Sequence, residues 1–213
     1  MKLAEFVKKY SAYPIIYSST FALFGENPQM LRCEVRYWLK NGHLIQLKRG
    51  IYVLSEDLRK KALSMGFISN FLLSPSYVSL EYALSYYDLI PEKVTVYTSV
   101  TTKKTATYKT PICIFEYRSV KENIFCGYTK KIDNGQDYFI AYPEKALLDF
   151  FYFHKDLEGK KSEFESLRFQ NFDTLNVKRF DELRKRYNKK INRIARAFVE
   201  FAKLESKTYK TLK

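Results

Sequence analysis

The sequence predicts an α+β protein with a small N-terminal domain of helices and one β-hairpin (residues 1–56). A larger C-terminal α/β domain follows (57–213), with a mainly antiparallel sheet and C-terminal helices. Apolar residues make up 46% of the 213 residues, enough to bury a core and to exclude a disordered chain. Helical periodicity dominates both ends, whereas residues 93–142 are rich in strand-forming residues and turns.

The charge of the chain is uneven. The formal net charge of +14 divides into +5 for residues 1–54, zero for 55–173 and +9 for 174–213. Two separate cationic faces are therefore expected, each able to attract a polyanion by releasing its condensed counterions. The alternative is a surface charge that only keeps the protein soluble.

Cysteine usage and hydropathy favour a cytoplasmic protein that contacts no membrane. Three cysteines cannot all pair and none has CxxC spacing, so neither a disulfide framework nor a structural zinc site is expected. No apolar run approaches the ~18 residues of a membrane span. The first residues lack the apolar segment of a signal peptide.

Local signals predict three N-terminal helices. Apolar residues at helical spacing predict the first over residues 3–10. Hydroxyl groups at Ser18–Thr20 can cap a short second helix, which Gly25 ends. Asn27-Pro28 begins the third helix, and Asn41-Gly42 ends it.

The third helix has two different faces. Four long polar side chains fall within an arc of about 80°: Gln29, Arg32, Arg36 and Lys40. Bulky apolar residues fall within about 100° on the other side: Leu31, Val35, Trp38 and Leu39. A helix that reads the major groove of DNA needs this arrangement, with an apolar face anchored on the protein and a basic face turned outward.

Residues 43–54 alternate between apolar and polar side chains, and Lys48-Arg49-Gly50 lies between the two halves. This predicts a β-hairpin with two basic side chains at its tip. Helices followed by such a hairpin indicate a winged helix-turn-helix that binds DNA. The alternative is a small domain whose basic face contacts only protein. The candidate DNA-binding residues are Ser18, Ser19, Gln29, Arg32, Arg36, Lys40, Lys48 and Arg49.

The middle of the chain mixes helices and strands. Amphipathic spacing predicts a helix over residues 57–72 and another that begins near Ser74-Pro75 and ends before Pro91. Strands are predicted between residues 93 and 142, with a turn at Asp133-Asn134-Gly135. A helix begins at Tyr142-Pro143 and continues to Phe151.

Two amphipathic helices are predicted near the C-terminus, over residues 177–187 and 191–204, with basic outer faces. This fits a second contact with DNA or RNA. The candidate basic surface of the C-terminal domain comprises Lys103, Lys104, Arg118, Lys189, Lys190, Arg193 and Arg196. Tyr97, Tyr108 and Tyr117 are interleaved with part of it and suit base stacking, although lysines at a solvated strand edge give the same pattern.

The chain shows no set of catalytic residues. It has no Gly-rich phosphate loop, no HExxH motif and only two histidines. We therefore expect a protein that is not an enzyme and needs no cofactor or metal. One alternative is that acidic residues of the middle segment gather around a metal ion, as in nucleases: Glu81, Glu116, Glu144 and Asp149.

Four blocks of sequence, in order, resemble the AbiEi family of antitoxins. They are GHLIQLKRGIY (42–52), YVSLEYAL (77–84), VYTSVTTKK (96–104) and YPEKALLD (142–149). The first block alone is common in winged helices, whereas the order of all four is more specific. The blocks span residues 42–149, and the helices on both sides fit the same layout.

The resemblance implies a bacterial type IV toxin–antitoxin system of abortive infection, a defence against phage. It implies a winged-helix domain that represses its own operon by binding double-stranded operator DNA. It also implies a C-terminal domain that neutralises a nucleotidyltransferase-like toxin without a stable complex. The alternatives are a metal-dependent nuclease or nucleotide-processing enzyme, and a module that binds only protein.

Overall fold

The structure, a computed structural model, describes residues 2–24 and 27–211, with side chains as far as Glu205. It is a mixed α/β structure with a mainly antiparallel large sheet and C-terminal helices, which confirms this part of the expected fold class. The predicted helix end at Gly25 lies outside the described residues. No described helix has both the length and the apolar character needed to cross a membrane.

The N-terminal unit combines two α-helices, one 3-10 helix and a three-stranded antiparallel sheet in the order β1-β3-β2. Its elements are α1 (Leu3–Tyr10), β1 (Ile16–Tyr17), the 3-10 helix (Ser18–Phe24), α2 (Pro28–Lys40), β2 (Leu44–Lys48) and β3 (Ile51–Leu54). The short strand β1 was not expected from the sequence. It pairs with β3, so the predicted hairpin becomes part of a three-stranded sheet.

The larger unit follows β3. Its helices are α3 (Met65–Leu72), α4 (Leu80–Tyr86), α5 (Pro143–Phe153), α6 (Lys161–Ser166), α7 (Val177–Arg184) and α8 (Lys189–Thr211). Its strands are β4 (Ser76–Val78), β5 (Tyr97–Thr101), β6 (Ala106–Lys109), β7 (Ile114–Ser119), β8 (Tyr128–Asp133) and β9 (Gln136–Ala141). Short 3-10 turns lie at Glu122–Ile124 and Phe172–Thr174.

The six strands form one sheet in the order β6-β7-β5-β4-β9-β8. The pairs β6–β7, β4–β5 and β8–β9 are antiparallel, whereas β5–β7 and β4–β9 are parallel. The predicted turn between β8 and β9 is present, with positive φ at Asn134 and Gly135. The sheet is therefore mainly antiparallel, with β4 near its centre.

Two predicted helices were wrong in part. Residues 57–64 are irregular, and the helix begins only at Met65, where the Ser64 hydroxyl accepts a hydrogen bond from the Phe67 N–H. The segment after Ser74-Pro75 is a strand before it becomes α4. Tyr77 and Val78 are fully buried between β5 and β9, so long-range pairing overrides their helix-like spacing.

The N-terminal sheet packs directly on the larger unit. Leu47, Ile51 and Val53 of the hairpin share a buried cluster with Phe115 and Tyr117 of β7. Burial of this apolar surface is the main favourable contribution to such contacts. Backbone contacts add to it, since the Lys60 N–H donates to the Ser11 carbonyl at 2.8 Å. The hairpin is thus held at a fixed position on the large sheet.

A buried ionic network lies at the centre of the larger unit. Lys145 and Asp149, one turn apart on α5, form an ion pair, and neither side chain is exposed to solvent. Asp149 also accepts hydrogen bonds from Tyr77 Oη (3.0 Å), Ser79 Oγ (2.8 Å) and Tyr187 Oη (2.8 Å). Burial, and then the charge of Asp149, raise the pKa of Tyr77 and of Tyr187 well above the usual value, so both hydroxyls remain donors.

Replacing Asp149 by Asn removes the charge that faces Lys145 and keeps the size of the side chain. Because breaking a buried ion pair leaves an uncompensated charge out of water, we expect the free energy of unfolding to fall by about 3–5 kcal/mol. Urea denaturation measures it. The matched control is Asp137→Asn, which breaks an exposed pair with Lys130 (2.8 Å) and should cost at most about 1 kcal/mol. Equal losses in the two variants would contradict the role of the buried pair.

Candidate nucleic-acid interface

Helix α2 has well-defined ends. The Asn27 side chain accepts a hydrogen bond from the Gln29 N–H at 2.8 Å, and Pro28 occupies the first helical position. At the other end Gly42 has a φ of +74°, which favours glycine. The His43 N–H donates to the Trp38 carbonyl at 2.9 Å and thereby closes the last turn. These contacts fix the helix over the predicted residues.

The two faces of α2 are placed as the sequence predicted. Gln29, Arg32, Arg36 and Lys40 are all exposed. On the opposite side Leu31 and Trp38 are only 7% and 3% exposed, and Val35 and Leu39 pack partly buried against the same cluster. Trp38 contacts Phe6 of α1, with ring centroids 5.0 Å apart. The helix is therefore anchored by its apolar side and presents two guanidinium groups and one ammonium group to solvent.

A groove runs beside α2. It has a volume of about 660 Å³ and is lined by Ser18, Phe21 and Ala22 of the 3-10 helix, by one side of α2 that includes Arg32 and Arg36, and by Tyr52. The structure thus brings Ser18 together with two of the predicted DNA-binding residues. Ser19 is exposed on the same 3-10 helix.

The two basic residues at the hairpin turn have different surroundings. Lys48 is half-buried: its Nζ donates to the Leu72 carbonyl at 2.6 Å and lies 5.7 Å from the centre of the Tyr108 ring. Burial and the nearby Lys103 ammonium lower the pKa of Lys48. Arg49 is exposed. Lys48 therefore holds the hairpin against the larger unit, and Arg49 is the outward cation of the turn.

Sequence reasoning missed three exposed residues next to the polar arc of α2. Met30 and Tyr37 are 60% and 61% exposed, and Cys33 is exposed between them. Their angular positions on the helix continue directly from Lys40 and Gln29. The sequence could have indicated their exposure, because none of the three belongs to the apolar face that was predicted to anchor α2.

The candidate basic surface of the C-terminal domain is exposed in full. Lys103 and Lys104 follow β5, and Arg118 lies at the end of β7 with its guanidinium 3.8 Å from Glu116. The other four members lie in the first three turns of α8: Lys189, Lys190, Arg193 and Arg196. Their exposure is compatible with a polyanion contact.

The three tyrosines interleaved with this surface do not form a platform for base stacking. Tyr117 is fully buried and donates to the Ser69 carbonyl at 2.6 Å. Tyr97 stacks on Tyr82, with ring centroids 3.8 Å apart. Tyr108 packs edge-on against Tyr117 under the Lys48 ammonium. Burial thus excludes Tyr117 from stacking with a base, and Tyr97 and Tyr108 are half-buried in contacts with other rings of the protein.

The four acidic residues considered as metal ligands lie apart from one another. Glu116 pairs with Arg118, Glu81 lies 3.8 Å from His154, and Asp149 belongs to the buried network. Glu144 accepts from the Asn176 N–H at 2.6 Å and lies 3.4 Å from the Arg179 guanidinium. Within residues 2–24 and 27–211, no three His, Cys, Asp or Glu side chains are grouped so that they could hold a metal ion.

No protein-family model matches the chain, and no curated protein matches it.

The different roles of Lys48 and Arg49 at the hairpin turn can be tested by their effects on the free energy of unfolding. We expect Lys48→Met to lower the free energy of unfolding by about 1–3 kcal/mol, since it removes a hydrogen bond from a charged donor and leaves the Leu72 carbonyl without that donor. Arg49→Met is the matched control and should change stability by less than about 0.5 kcal/mol. Chemical denaturation measures both. A Lys48→Met protein as stable as the wild type would show that the contact does not hold the hairpin.

Proposed function

We propose that the protein is a DNA-binding transcriptional autorepressor and antitoxin of the AbiEi type, with an N-terminal winged helix-turn-helix. The observation that carries the proposal is the exposed cationic arc of α2, anchored from behind by Leu31 and Trp38 and followed by a hairpin with Arg49 at its turn. The resemblance of four sequence blocks to AbiEi antitoxins supports the choice of family.

The geometry of α2 suits the major groove. The polar arc from Gln29 to Lys40 extends for about 16 Å, at about 1.5 Å per residue. The major groove is about 12 Å wide and admits one α-helix. Arginine is suited to bidentate contacts with guanine or phosphate, and glutamine with adenine. In this proposal Arg32, Arg36 and Gln29 face the bases or the nearest phosphates.

The apolar residues beside the arc fit the same contact. Met30 and Tyr37 are large, exposed and adjacent to the cationic side chains. Apolar side chains in the major groove contact the methyl group of thymine. An operator with thymines at the edge of the α2 site is therefore expected.

The hairpin supplies a second, weaker contact. Arg49 is directed to solvent at the turn, where it can reach a phosphate or the minor groove. Lys48 was predicted to share this role, but its ammonium is occupied by the Leu72 carbonyl. The proposal therefore assigns the contact at the turn to Arg49 and gives Lys48 the task of holding the turn in place.

The rival proposals have less support. A metal-dependent nuclease requires carboxylates that converge, and the four acidic residues considered for this role lie in separate contacts. The exposed 80° arc of α2 contains three cations and no carboxylate. A module that binds only protein does not need such a concentration of positive charge.

Operator binding should depend on two arginines. We expect Arg32→Ala plus Arg36→Ala to lower affinity for the DNA upstream of the gene at least about thirtyfold, because each such contact is worth about 1–3 kcal/mol. The slope of log affinity against log salt should also decrease in magnitude by about 0.9 for each lost phosphate contact. Gel shifts and fluorescence anisotropy at several salt concentrations measure both.

The matched control removes two positive charges from the larger unit instead of from α2. Lys131→Ala plus Arg168→Ala changes two exposed cations of the larger unit and should leave affinity within about threefold. Equal losses in the two double variants would mean that net charge alone drives binding. Unchanged affinity in the α2 variant would reject α2 as the DNA-contacting helix.

Neutralisation of the toxin is expected to be separable from DNA binding. When the protein is expressed from an unrelated promoter with the neighbouring nucleotidyltransferase-like protein, the wild type should restore growth. The Arg32→Ala plus Arg36→Ala variant should restore growth equally, because its larger unit is unchanged. Growth assays at matched protein levels measure this. Failure of the wild type would reject the antitoxin role, and failure of the variant alone would place neutralisation on α2.

A further inference from the structure

The larger unit contains a cavity that no step of the proposed function uses. Its volume is about 550 Å³, within the 300–1,000 Å³ of typical small-molecule sites. It lies where β7 ends, α5 ends and α8 begins. Its lining residues are Ser119, Phe151, Tyr152, Phe153, Lys155, Asn188, Lys190 and Ile191.

The charge of this cavity is positive. Lys155 and Lys190 line it, and none of its eight described lining residues is acidic. The Lys190 Nζ donates to the Lys155 carbonyl, which fixes its ammonium at the rim. An ammonium has three donors, so two remain for a ligand. The cavity therefore offers two cations without a lining carboxylate that would neutralise them.

The start of α8 adds to this field. The Asn188 side chain accepts a hydrogen bond from the Ile191 N–H at 3.0 Å, so this cavity residue caps the helix. The helix is 23 residues long, and its N-terminus carries partial positive charge. Lys189 and Arg193, both exposed, lie in the same first turns. An anion held by Lys190 would also lie near the positive end of the α8 dipole, because Lys190 is in the first turn of α8.

The lining of the cavity also includes aromatic rings. The rings of Tyr152 and Phe153 are half-buried and nearly perpendicular, with centroids 5.1 Å apart. Tyr152 is further held by Tyr187, whose ring centroid lies 5.9 Å away. Half-buried rings of fixed orientation are suited to stacking with a planar ligand, and nucleobases stack on them without regard to sequence. Ser119 and Asn188 add polar side chains to the same lining.

We propose that this cavity binds a nucleoside phosphate, with the base against Tyr152 and Phe153 and the phosphate at Lys155, Lys190 and the start of α8. The ligand is either a free nucleotide or the phosphorylated end of a single strand. The loop that carries Lys103 and Lys104 reaches the edge of the cavity, because the neighbouring Thr105 accepts a hydrogen bond from the N–H of the lining residue Ser119 at 3.3 Å. This site is independent of the DNA contact proposed for α2.

The test is isothermal titration of the full chain with three probes. They are nucleoside mono- and diphosphates, a 5′-phosphorylated single-stranded pentanucleotide, and inorganic pyrophosphate. Saturable one-to-one binding of a nucleotide or of the pentanucleotide is expected, and the tighter of the two identifies the source of the ligand. Binding of pyrophosphate as tight as that of any nucleotide would show an anion site with no base contact and would overturn the proposal.

Variants assign the two halves of the site. Lys155→Ala plus Lys190→Ala should weaken nucleotide binding at least tenfold. If the double variant is unstable, Lys155→Ala alone is used, because it keeps the hydrogen bond from Lys190 to the backbone carbonyl of residue 155. Tyr152→Leu should weaken nucleotide binding more than pyrophosphate binding. Lys203→Ala, which removes one cation about 20 Å farther along α8, is the control and should stay within twofold.

Two further results would overturn the proposal: no saturable binding of any nucleotide or pentanucleotide, or unchanged affinity after removal of Lys155 and Lys190. The Arg32→Ala plus Arg36→Ala variant should bind the nucleotide as the wild type does. If this variant loses operator binding and keeps nucleotide binding, the two ligands bind at different sites. The DNA-binding proposal and the nucleotide-binding proposal can therefore fail independently of each other.

Discussion

The ion pair between Lys145 and Asp149 joins three parts of the larger unit at a point that water does not reach. It lies on α5, and Asp149 also receives hydrogen bonds from Tyr77 and Ser79 around β4 and from Tyr187 before α8. A charged pair without water depends on having all its partners in place. The central strand, α5 and the C-terminal helices are therefore expected to form together or not at all. The proposed nucleotide cavity lies between the ends of α5 and β7 and the start of α8, so its walls depend on the same network.

The N-terminal unit depends on this framework in turn. Its hairpin packs on β7 through Leu47, Ile51 and Val53, and Lys48 reaches the Leu72 carbonyl at the end of α3. The outward direction of Arg49 and the position of α2 are thus set relative to the large sheet. A DNA-binding face on a rigid support loses less conformational entropy on binding than one on a free domain. The two cationic ends of the chain are consequently parts of one folded body, although they face different ligands in the two proposals.

Local signals were enough to predict α2, because Asn27-Pro28, the apolar arc and Asn41-Gly42 act within a few residues of one another. The same holds for α5, which begins at Pro143. Longer-range features were not predictable. The segment around Tyr77 has helical spacing but pairs with β5 and β9, more than 20 residues away. The contact of Lys48 with Leu72 and the cavity between β7, α5 and α8 depend on the tertiary arrangement, which no local pattern of the sequence encodes.

Oxidative footprinting of the side chains, with and without the DNA that precedes the gene, measures directly whether α2 contacts DNA. Methionine, cysteine and tyrosine side chains can report on exposure in this way, and α2 carries exposed Met30, Cys33 and Tyr37 beside its cationic arc. We expect DNA to protect these three residues from oxidation and to leave the oxidation of exposed Tyr86 of α4 unchanged. Unchanged oxidation of all three in a DNA complex, or protection confined to the larger unit, would contradict it.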